Sequence, residues 1–252
     1  MAIVTIVDDG EEPAAAGALR LTMLVELAIA VRKSAVVCLA GGHTPERLYQ
    51  LLADERNPWR DRIDWSRVHV FWGDERHVPP DHPDSNFGMA FRMLLSHVAI
   101  PPAHIHRIHG ENPDARDAAR EYDVKLREGF AAAGRADQTF DVMLLGLGED
   151  AHIASIFPGS PLIDERSVRV AAAWVPHLKA WRITLTPPAL LDARAILVMA
   201  SGAKKADAVQ AALDVPEDAM SYPAQLLRGA GDRVEWVIDR AAAQRRGAPP
   251  AQ

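Results

Sequence analysis

The segment from Phe140 to Pro158, FDVMLLGLGEDAHIASIFP, constrains the fold more than any other part of the chain. It begins as a short apolar run, passes through Gly146 and Gly148, and then presents an acid/base cluster that includes Asp150 and His152. Glycine lets the backbone turn sharply and lie close to a ligand, because it has no Cβ atom. A buried strand with polar groups at its carboxyl end is typical of an α/β sheet, whose ligands bind beyond the strand ends.

His152 is the first candidate for catalysis in this segment. A histidine side chain has an unperturbed pKa of about 6.5, so it can accept or donate a proton near neutral pH. Asp150 could orient the ring and stabilise its charged form. In the alternative interpretation, Asp150 caps a helix that begins near His152, and the histidine is an ordinary surface residue. The local sequence leaves both interpretations open.

Strand-like and helix-like patterns alternate along the rest of the chain. Ala2–Val7 and Ala35–Ala40 are predicted strands, and the segment from Pro13 to about Lys33 has the apolar spacing of a helix. Further strands are predicted at residues 67–72, 168–175, 181–186, 195–200 and 234–238. Strands that alternate with helices predict an α/β fold with a parallel sheet. Because we find no repeat and no linker, we expect one domain over residues 1–240 and a flexible tail at 241–252.

Composition excludes several classes of protein. The formal net charge of -6 gives no electrostatic reason to expect nucleic-acid binding, although a local basic pocket for a small anion is compatible with it. The single cysteine, Cys38, lies in an apolar run, which predicts a core residue and a reducing compartment. The N-terminus does not resemble a signal peptide, and no run is expected to be long enough to span a bilayer. These features predict a cytoplasmic protein without a membrane partner.

A glycine-rich turn follows the predicted strand Ala35–Ala40. It reads Gly41-Gly42-His43-Thr44-Pro45 and leads into a helical pattern. Free backbone N–H groups and the positive end of the helix dipole make such a turn suitable for a phosphate group. The motif is neither a dinucleotide-binding fingerprint nor a P-loop, so a simple tight turn between strand and helix is the alternative.

Two other polar groups follow predicted strands. Asp74 and Arg76 come after the strand at residues 67–72, and a proline-rich loop connects them to Asn86. The arginine and the asparagine could hold an oxygen-rich ligand, or the group could be a solvated surface cluster. Lys204 and Lys205 lie at the start of a predicted helix, where cations are electrostatically disfavoured. A bound phosphate would compensate their charge.

Three histidines at His104, His106 and His109 raise the question of a metal site. Alternation places His104 and His106 on one face of a short predicted strand. No carboxylate or cysteine follows at the spacing of a metal ligand, so we predict no metal centre.

Several of these motifs together resemble the 6-phosphogluconolactonase family. They are LAGGHTP, WGDERHVPPDHPDSN, LLGLGEDAHIASIFPG, RITLT and SGAKKA, and they occur in the order and spacing of that family. The resemblance implies a Rossmann-like three-layer α/β sandwich with a mostly parallel sheet. It also implies hydrolysis of 6-phospho-D-glucono-1,5-lactone to 6-phosphogluconate in the oxidative pentose phosphate pathway, without a metal or cofactor. The implied partner is a small phosphorylated sugar lactone, and the chain would be a monomer or a homodimer.

The resemblance also implies roles for individual residues. The implied catalytic residues are Asp74, Arg76, Asp150 and His152. The implied substrate- and phosphate-binding residues are Gly41, Gly42, His43, Thr44, Asn86, Arg182 and Lys205, with the last two near the phosphorylated end. His152 would take a proton from water, while Arg76 and backbone N–H groups of the glycine-rich turn would stabilise the oxyanion.

Two residues depart from the family pattern. His43 stands where the family usually has serine, so one hydroxyl donor is missing. Ala151 stands where the family has glycine, and a positive φ there would cost an alanine about 1 kcal/mol.

Two alternative functions remain. Glucosamine-6-phosphate deaminases of the same superfamily carry a glutamate in the segment after the histidine, whereas this chain has Ile156-Phe157-Pro158. Arg76 also stands where those deaminases have tyrosine. The second alternative is a sugar-phosphate-binding regulator without catalysis, which would bind the phosphosugar without turning it over.

Overall fold

The computed structural model describes residues 2–10 and 12–247. Its main sheet contains six strands in the spatial order β1-β9-β8-β5-β2-β3, and every neighbouring pair is parallel. The six strands are β1 (Ile3–Val7), β2 (Ala35–Leu39), β3 (Val68–Trp72), β5 (Phe140–Gly146), β8 (Ala193–Ala200) and β9 (Val234–Asp239). The central strands are buried over almost their whole length, as expected for a parallel sheet between layers of helices. The predicted Rossmann-like three-layer fold is confirmed.

The α-helices connect the strands and cover the sheet. They are α1 (Glu12–Arg32), α2 (His43–Ala53), α3 (Pro58–Arg62), α4 (Asn86–Ala90), α5 (Ala115–Ala132), α6 (Pro187–Leu190), α7 (Ala206–Leu213) and α8 (Arg240–Ala243). A short π-helix at Phe91–Leu95 continues α4, and a 3₁₀ stretch at Pro223–Arg233 precedes β9. One continuous hydrophobic core includes residues of the six strands and of several helices.

The direction of the strand order reverses between β2 and β5. From β2 the chain proceeds to β3 at one edge, whereas from β5 it proceeds through β8 and β9 towards the other edge. Ligands of open α/β sheets bind in the crevice at such a reversal, beyond the carboxyl ends of the strands. The turn that begins at Gly41 and the segment from Gly146 to His152 both emerge at this crevice.

A second, three-stranded antiparallel sheet was not predicted. Its order is β4 (Asp74–Arg76), β7 (Ala180–Leu185) and β6 (Val170–Val175). The sequence patterns identified β6 and β7 as strands but did not show that they leave the parallel sheet. The register places Asp74 opposite Thr184 and Arg76 opposite Arg182. The small sheet therefore brings a later part of the chain to the loop that follows β3.

Two sequence-based expectations were wrong. Residues around His104 and His106 do not form a strand, because Pro102–His104 is a 3₁₀ turn and only Ile105 makes an isolated bridge, to Val70. Helix α1, contrary to expectation, is long and apolar enough to cross a membrane by length and composition. A core helix of a soluble protein passes the same test, and one face of α1 packs on the sheet.

The predicted C-terminal tail falls only partly within the described residues. Helix α8 lies at its start, and Arg245 and Arg246 form ion pairs with Asp207 and Asp214. Residues 248–252 lie outside the part of the chain that the structure describes.

Candidate active site

Two adjoining cavities open at the crevice beyond β2 and β5. The larger has a volume of about 600 Å³ and the smaller about 330 Å³. Both are lined by Asp74, Arg76, Glu149, His152 and Ala154. The predicted acid/base groups therefore lie where the two cavities meet, in a space large enough for a small ligand.

His152 and Asp150 form a close pair. The distance between His152 Nδ1 and Asp150 Oδ1 is 2.6 Å, and the same oxygen accepts a hydrogen bond from the His152 backbone N–H. Burial alone would raise the pKa of Asp150, but the hydrogen bond from His152 and the charge of its ring outweigh this and lower it. Because Nδ1 is engaged by the carboxylate, Nε2 is the ring nitrogen left for a ligand. His152 does not begin a helix, so the alternative capping interpretation does not describe this segment.

Gly148 makes room for this pair. A Cβ atom at Gly148 would overlap both the His152 ring and the Asp150 carboxylate. Its N–H also donates to the His152 carbonyl over 2.9 Å, and its carbonyl accepts from the N–H of Ala151. At Gly146, in contrast, a Cβ atom would meet only ordinary contacts. Of the two glycines in this turn, Gly148 is the one that the acid/base pair requires.

Ala151, which stands where the family pattern has glycine, adopts a left-handed backbone conformation. Its φ is +64°, in a region that favours glycine. The residue is 1% exposed, and its carbonyl accepts a hydrogen bond from the N–H of Ala224 over 2.9 Å. Packing and hydrogen bonding therefore hold an alanine in a strained conformation directly beside His152.

Asp74 is held in place by two donors. Its Oδ2 accepts a hydrogen bond from the Ser155 hydroxyl over 2.5 Å, and its Oδ1 accepts one from Asn86 Nδ2 over 3.2 Å. The backbone N–H of Ser155 donates in turn to Thr184 Oγ1. The sequence analysis missed this contact between Ser155 and Asp74. Nothing in the local pattern indicates it, because the two residues are 81 positions apart.

Glu75, a second residue that sequence reasoning missed, organises the proline-rich loop. Its buried carboxylate accepts hydrogen bonds from the backbone N–H groups of Arg76, Asn86 and Phe87 and from the Ser85 hydroxyl. Burial is the largest influence on this carboxyl group and raises its pKa, which these backbone hydrogen bonds only partly oppose. These hydrogen bonds tie both ends of the loop, Arg76 and Asn86, to one carboxylate.

The glycine-rich turn forms one wall of the larger cavity. Gly42 has a φ of +102° and directly precedes α2, and no side chain among the described residues caps the first turn of this helix. A Cβ atom at Gly41 would overlap the Asn86 side chain. Thr44 Oγ1 lies 3.1 Å from Ser201 Oγ, which joins this turn to the loop after β8. The His43 side chain is fully exposed to solvent at the cavity edge.

Four cations line the two cavities, but they do not form one group. Lys204 and Lys205 line the larger cavity, next to the glycine-rich turn. Arg182 lines the smaller cavity, opposite Arg76 in the β4–β7 ladder. The pKa of Lys205 is lowered by burial, which the nearby Glu149 and Asp150 only partly oppose. The pKa of Arg182 is lowered by burial and by the charge of Arg76.

Arg182 and Lys205 line different cavities, and their expected role near the phosphorylated end of the substrate stays a prediction. The structure brings Lys205 to the turn of Gly41, Gly42 and Thr44, and it brings Arg182 to Arg76 instead.

Among the residues that the structure describes, no group of three or more histidine, cysteine, aspartate or glutamate side chains is arranged to hold a metal ion.

Comparison with known proteins assigns the chain to a family. The model of the family of glucosamine-6-phosphate isomerases and 6-phosphogluconolactonase matches residues 8–236. The 6-phosphogluconolactonase of Mycobacterium tuberculosis is 37% identical over 95% of this chain and 96% of its own length. That of Haemophilus influenzae is 34% identical over 82% of this chain and 85% of its own length.

A solved structure agrees with these sequence relatives. The 6-phosphogluconolactonase of Trypanosoma brucei is 30% identical to this chain and superposes with a TM-score of 0.81, over 97% of this chain and 98% of its own. The match to the family model, the sequence relatives and the fold agree over nearly the whole length. The chain therefore belongs to the glucosamine-6-phosphate isomerase and 6-phosphogluconolactonase family.

Proposed function

We propose that this chain hydrolyses 6-phospho-D-glucono-1,5-lactone to 6-phosphogluconate, the lactonase step of the oxidative pentose phosphate pathway, with His152 as the general base. The observation that carries the mechanism is the His152–Asp150 pair. Its 2.6 Å contact orients the imidazole ring at the junction of the two cavities. A general base needs this combination of a fixed ring, a free nitrogen and access to substrate.

Each step of the hydrolysis has a residue that could perform it. His152 Nε2 takes a proton as water attacks the lactone carbonyl carbon, and Asp150 stabilises the imidazolium that forms. Arg76 stabilises the negative charge on the carbonyl oxygen. The bond from the carbonyl carbon to the ring oxygen then breaks, and His152 returns the proton to that oxygen. No covalent intermediate with the protein is required.

The phosphate group fits the larger cavity. The uncapped first turn of α2 offers backbone N–H groups at Gly42 and the residues after it, and Thr44 and Ser201 add two hydroxyl groups. Lys205, with Lys204 beside it, supplies positive charge at the same wall. In this assignment Arg182 contacts the sugar side of the substrate through the smaller cavity. The substrate would then bridge the cavities across His152.

The alternative of a glucosamine-6-phosphate deaminase finds less support in the site. In the segment after His152, it is the aromatic ring of Phe157 that packs on the imidazole, with ring centroids 4.3 Å apart. Ile153 and Ile156 of the same segment are fully buried. An apolar segment therefore occupies the place where those deaminases carry a glutamate.

The test is the protein-dependent rate of 6-phosphogluconolactone opening, after subtraction of the spontaneous rate in buffer. We expect His152→Ala to lower kcat by about 100-fold or more, the range typical of general-base removal. His109→Ala is the matched control. His109 is also paired with a carboxylate, that of Glu121, and its side chain is 31% exposed, against 30% for His152, yet it lies outside both cavities.

The outcomes separate the proposals. Loss of activity in His152→Ala, with full activity in His109→Ala, supports His152 as the base. Wild-type activity in both variants would refute that role and leave the lactonase assignment standing. A wild type that binds 6-phosphogluconate but does not open the lactone would instead identify a non-catalytic sugar-phosphate sensor.

A cytoplasmic location also belongs to this proposal. Its support is the single cysteine, Cys38, which is fully buried, together with a substrate that arises in central carbohydrate metabolism.

A further inference from the structure

Helix α1 exposes a row of large apolar side chains on the face that points away from the sheet. Leu19, Met23, Leu27 and Val31 follow one another at intervals of four residues and are each between 39% and 62% exposed. The row extends for about 18 Å along the helix, at a rise of 1.5 Å per residue. The opposite face of α1 is already buried against the sheet, so the helix is apolar on almost all sides. Such a helix is normally covered on both faces.

Charged pairs border this row and leave its centre apolar. Arg20 donates to Glu235 over 2.6 Å, and Arg62 donates to Glu26 over 2.9 Å. These intramolecular ion pairs hold the long side chains beside the row. An apolar centre with a polar rim is the anatomy of a protein–protein interface.

We propose that two copies of this chain associate through α1, with the two helices antiparallel and a two-fold axis at Met23. This register is self-complementary in side-chain character. Met23 contacts the Met23 side chain of the second copy, and Leu19 contacts Leu27 of the second copy. A two-fold interface uses the same patch on both copies, and Leu19, Met23 and Leu27 are symmetric about Met23. Val31 then lies opposite Ala15 of the second copy, at the edge of the contact.

The ends of the helix are complementary in charge. In this register Glu12, exposed at the N-terminal end of α1, lies near Lys33 of the second copy, which is exposed just beyond the C-terminal end. Two such pairs form, one at each end of the contact. A parallel arrangement would instead place like charges together at both ends. Charge therefore favours the antiparallel register.

The neighbouring edge strand offers further apolar surface. Among the described strands, β1 pairs with β9 alone, and it packs beside α1. It exposes Ile3 and Ile6 by about half, and their spacing places the two side chains on opposite faces of the strand. One helix row alone is small for a stable interface, which typically buries about 800 Å² on each partner. One of these two isoleucines therefore lies on the α1 side of the sheet and extends the surface that a second copy could cover.

The first experiment measures the mass in solution by light scattering across a concentration series. We expect the wild type to reach twice the chain mass and Met23→Glu to remain at the chain mass. Met220→Glu is the matched control, because Met220 is a methionine of nearly equal exposure, 44% against 46%, on a different surface. Lactone-opening activity of each variant serves as the check that it is folded.

The second experiment tests the register. Met23→Cys should form a disulfide-linked dimer under mild oxidation, because residue 23 faces its own copy across the two-fold axis. Leu19→Cys should not, since the two copies of residue 19 would lie about 12 Å apart along the helices, beyond the reach of a disulfide. The native Cys38 is fully buried and does not interfere.

The third experiment tests the charges. Glu12→Lys should weaken association, and the double variant Glu12→Lys with Lys33→Glu should restore it. A wild type that keeps the chain mass at every concentration would overturn the proposal, as would a dimer unaffected by Met23→Glu. A monomer whose α1 binds phosphatidylcholine vesicles, with binding lost in Met23→Glu, would also overturn it and assign the apolar row to a membrane surface.

Discussion

The hydroxyl of Ser155 donates a hydrogen bond to the carboxylate of Asp74 over 2.5 Å, and this contact joins two segments 81 residues apart. Ser155 belongs to the stretch that carries His152, whereas Asp74 belongs to β4 and shares that short strand with Arg76. The contact therefore fixes the acid/base segment against the strand that carries the proposed oxyanion-stabilising arginine.

We expect Ser155→Ala to lower kcat/KM by about 10-fold, because one donor to the buried side of Asp74 is lost. Steady-state kinetics of lactone opening measure this effect. Ser167→Ala is the matched control, since Ser167 also donates to a carboxylate, that of Glu165, but at the exposed surface and outside both site cavities. Equal effects of the two substitutions would contradict a positioning role for Ser155.

Gly148→Ala should abolish most of the activity, because the added methyl group overlaps the His152 ring and the Asp150 carboxylate. The pair must then separate or the turn must move. Gly146→Ala adds the same methyl group two residues earlier, where it meets only ordinary contacts, so it should retain most of the activity. Comparable kcat values for the two variants would show that the His152–Asp150 geometry is not required.

Ala151→Gly should raise the free energy of unfolding by up to about 1 kcal/mol. Relief of the left-handed strain contributes about 1–2 kcal/mol, and the greater freedom of glycine in the unfolded chain offsets about half of it. Urea denaturation measures the change. Ala118→Gly, at a buried position inside α5, should instead destabilise the fold. Destabilisation by both substitutions would mean that Ala151 is not strained. We also expect kcat of Ala151→Gly to equal or exceed that of the wild type.

A cluster of buried histidines predicts loss of stability in mild acid. His69 Nδ1 lies 3.2 Å from His106 Nε2, and the His104 ring stacks on His69 with centroids 3.8 Å apart. Burial, reinforced by neighbouring positive groups, lowers the pKa of both His69 and His106 from 6.5 to about 4. The folded state therefore resists protonation at a pH where the unfolded chain accepts protons.

The two histidines destabilise the folded state only below pH 6.5. Above this pH, His69 and His106 are neutral in both the folded and the unfolded chain, so they do not lower the free energy of unfolding. As the pH falls from 6.5 towards 4, each histidine that is protonated only in the unfolded chain lowers the free energy of unfolding by about 1.4 kcal/mol per pH unit. Denaturation between pH 7 and pH 5 measures the slope, which should be shallower in His106→Gln. An unchanged slope in that variant would remove the cluster from the explanation.

Much of this protein could be predicted from local patterns. The apolar runs of β2, β3 and β5 are continuous because both faces of a parallel sheet are covered, and the glycines and charged residues after them mark the ends where ligands bind. Sequence reasoning also identified the His152–Asp150 pair, because two residues so close in the chain can meet without help from the fold. The family's glycine at position 151 raised the question of a positive φ there, and the structure gives Ala151 a φ of +64°.

The tertiary structure determined which distant segments of the chain become neighbours. The antiparallel sheet places Arg182 beside Arg76 rather than beside Lys205, and no periodicity distinguishes a strand that joins one sheet from a strand that joins another. The contacts of Ser155 with Asp74 and of Thr44 with Ser201 depend on loops that meet only at the reversal of strand order. Hydrophobic patterning selects which side chains are buried, whereas the geometry of a site depends on which strand ends become neighbours, and only the assembled sheet determines that.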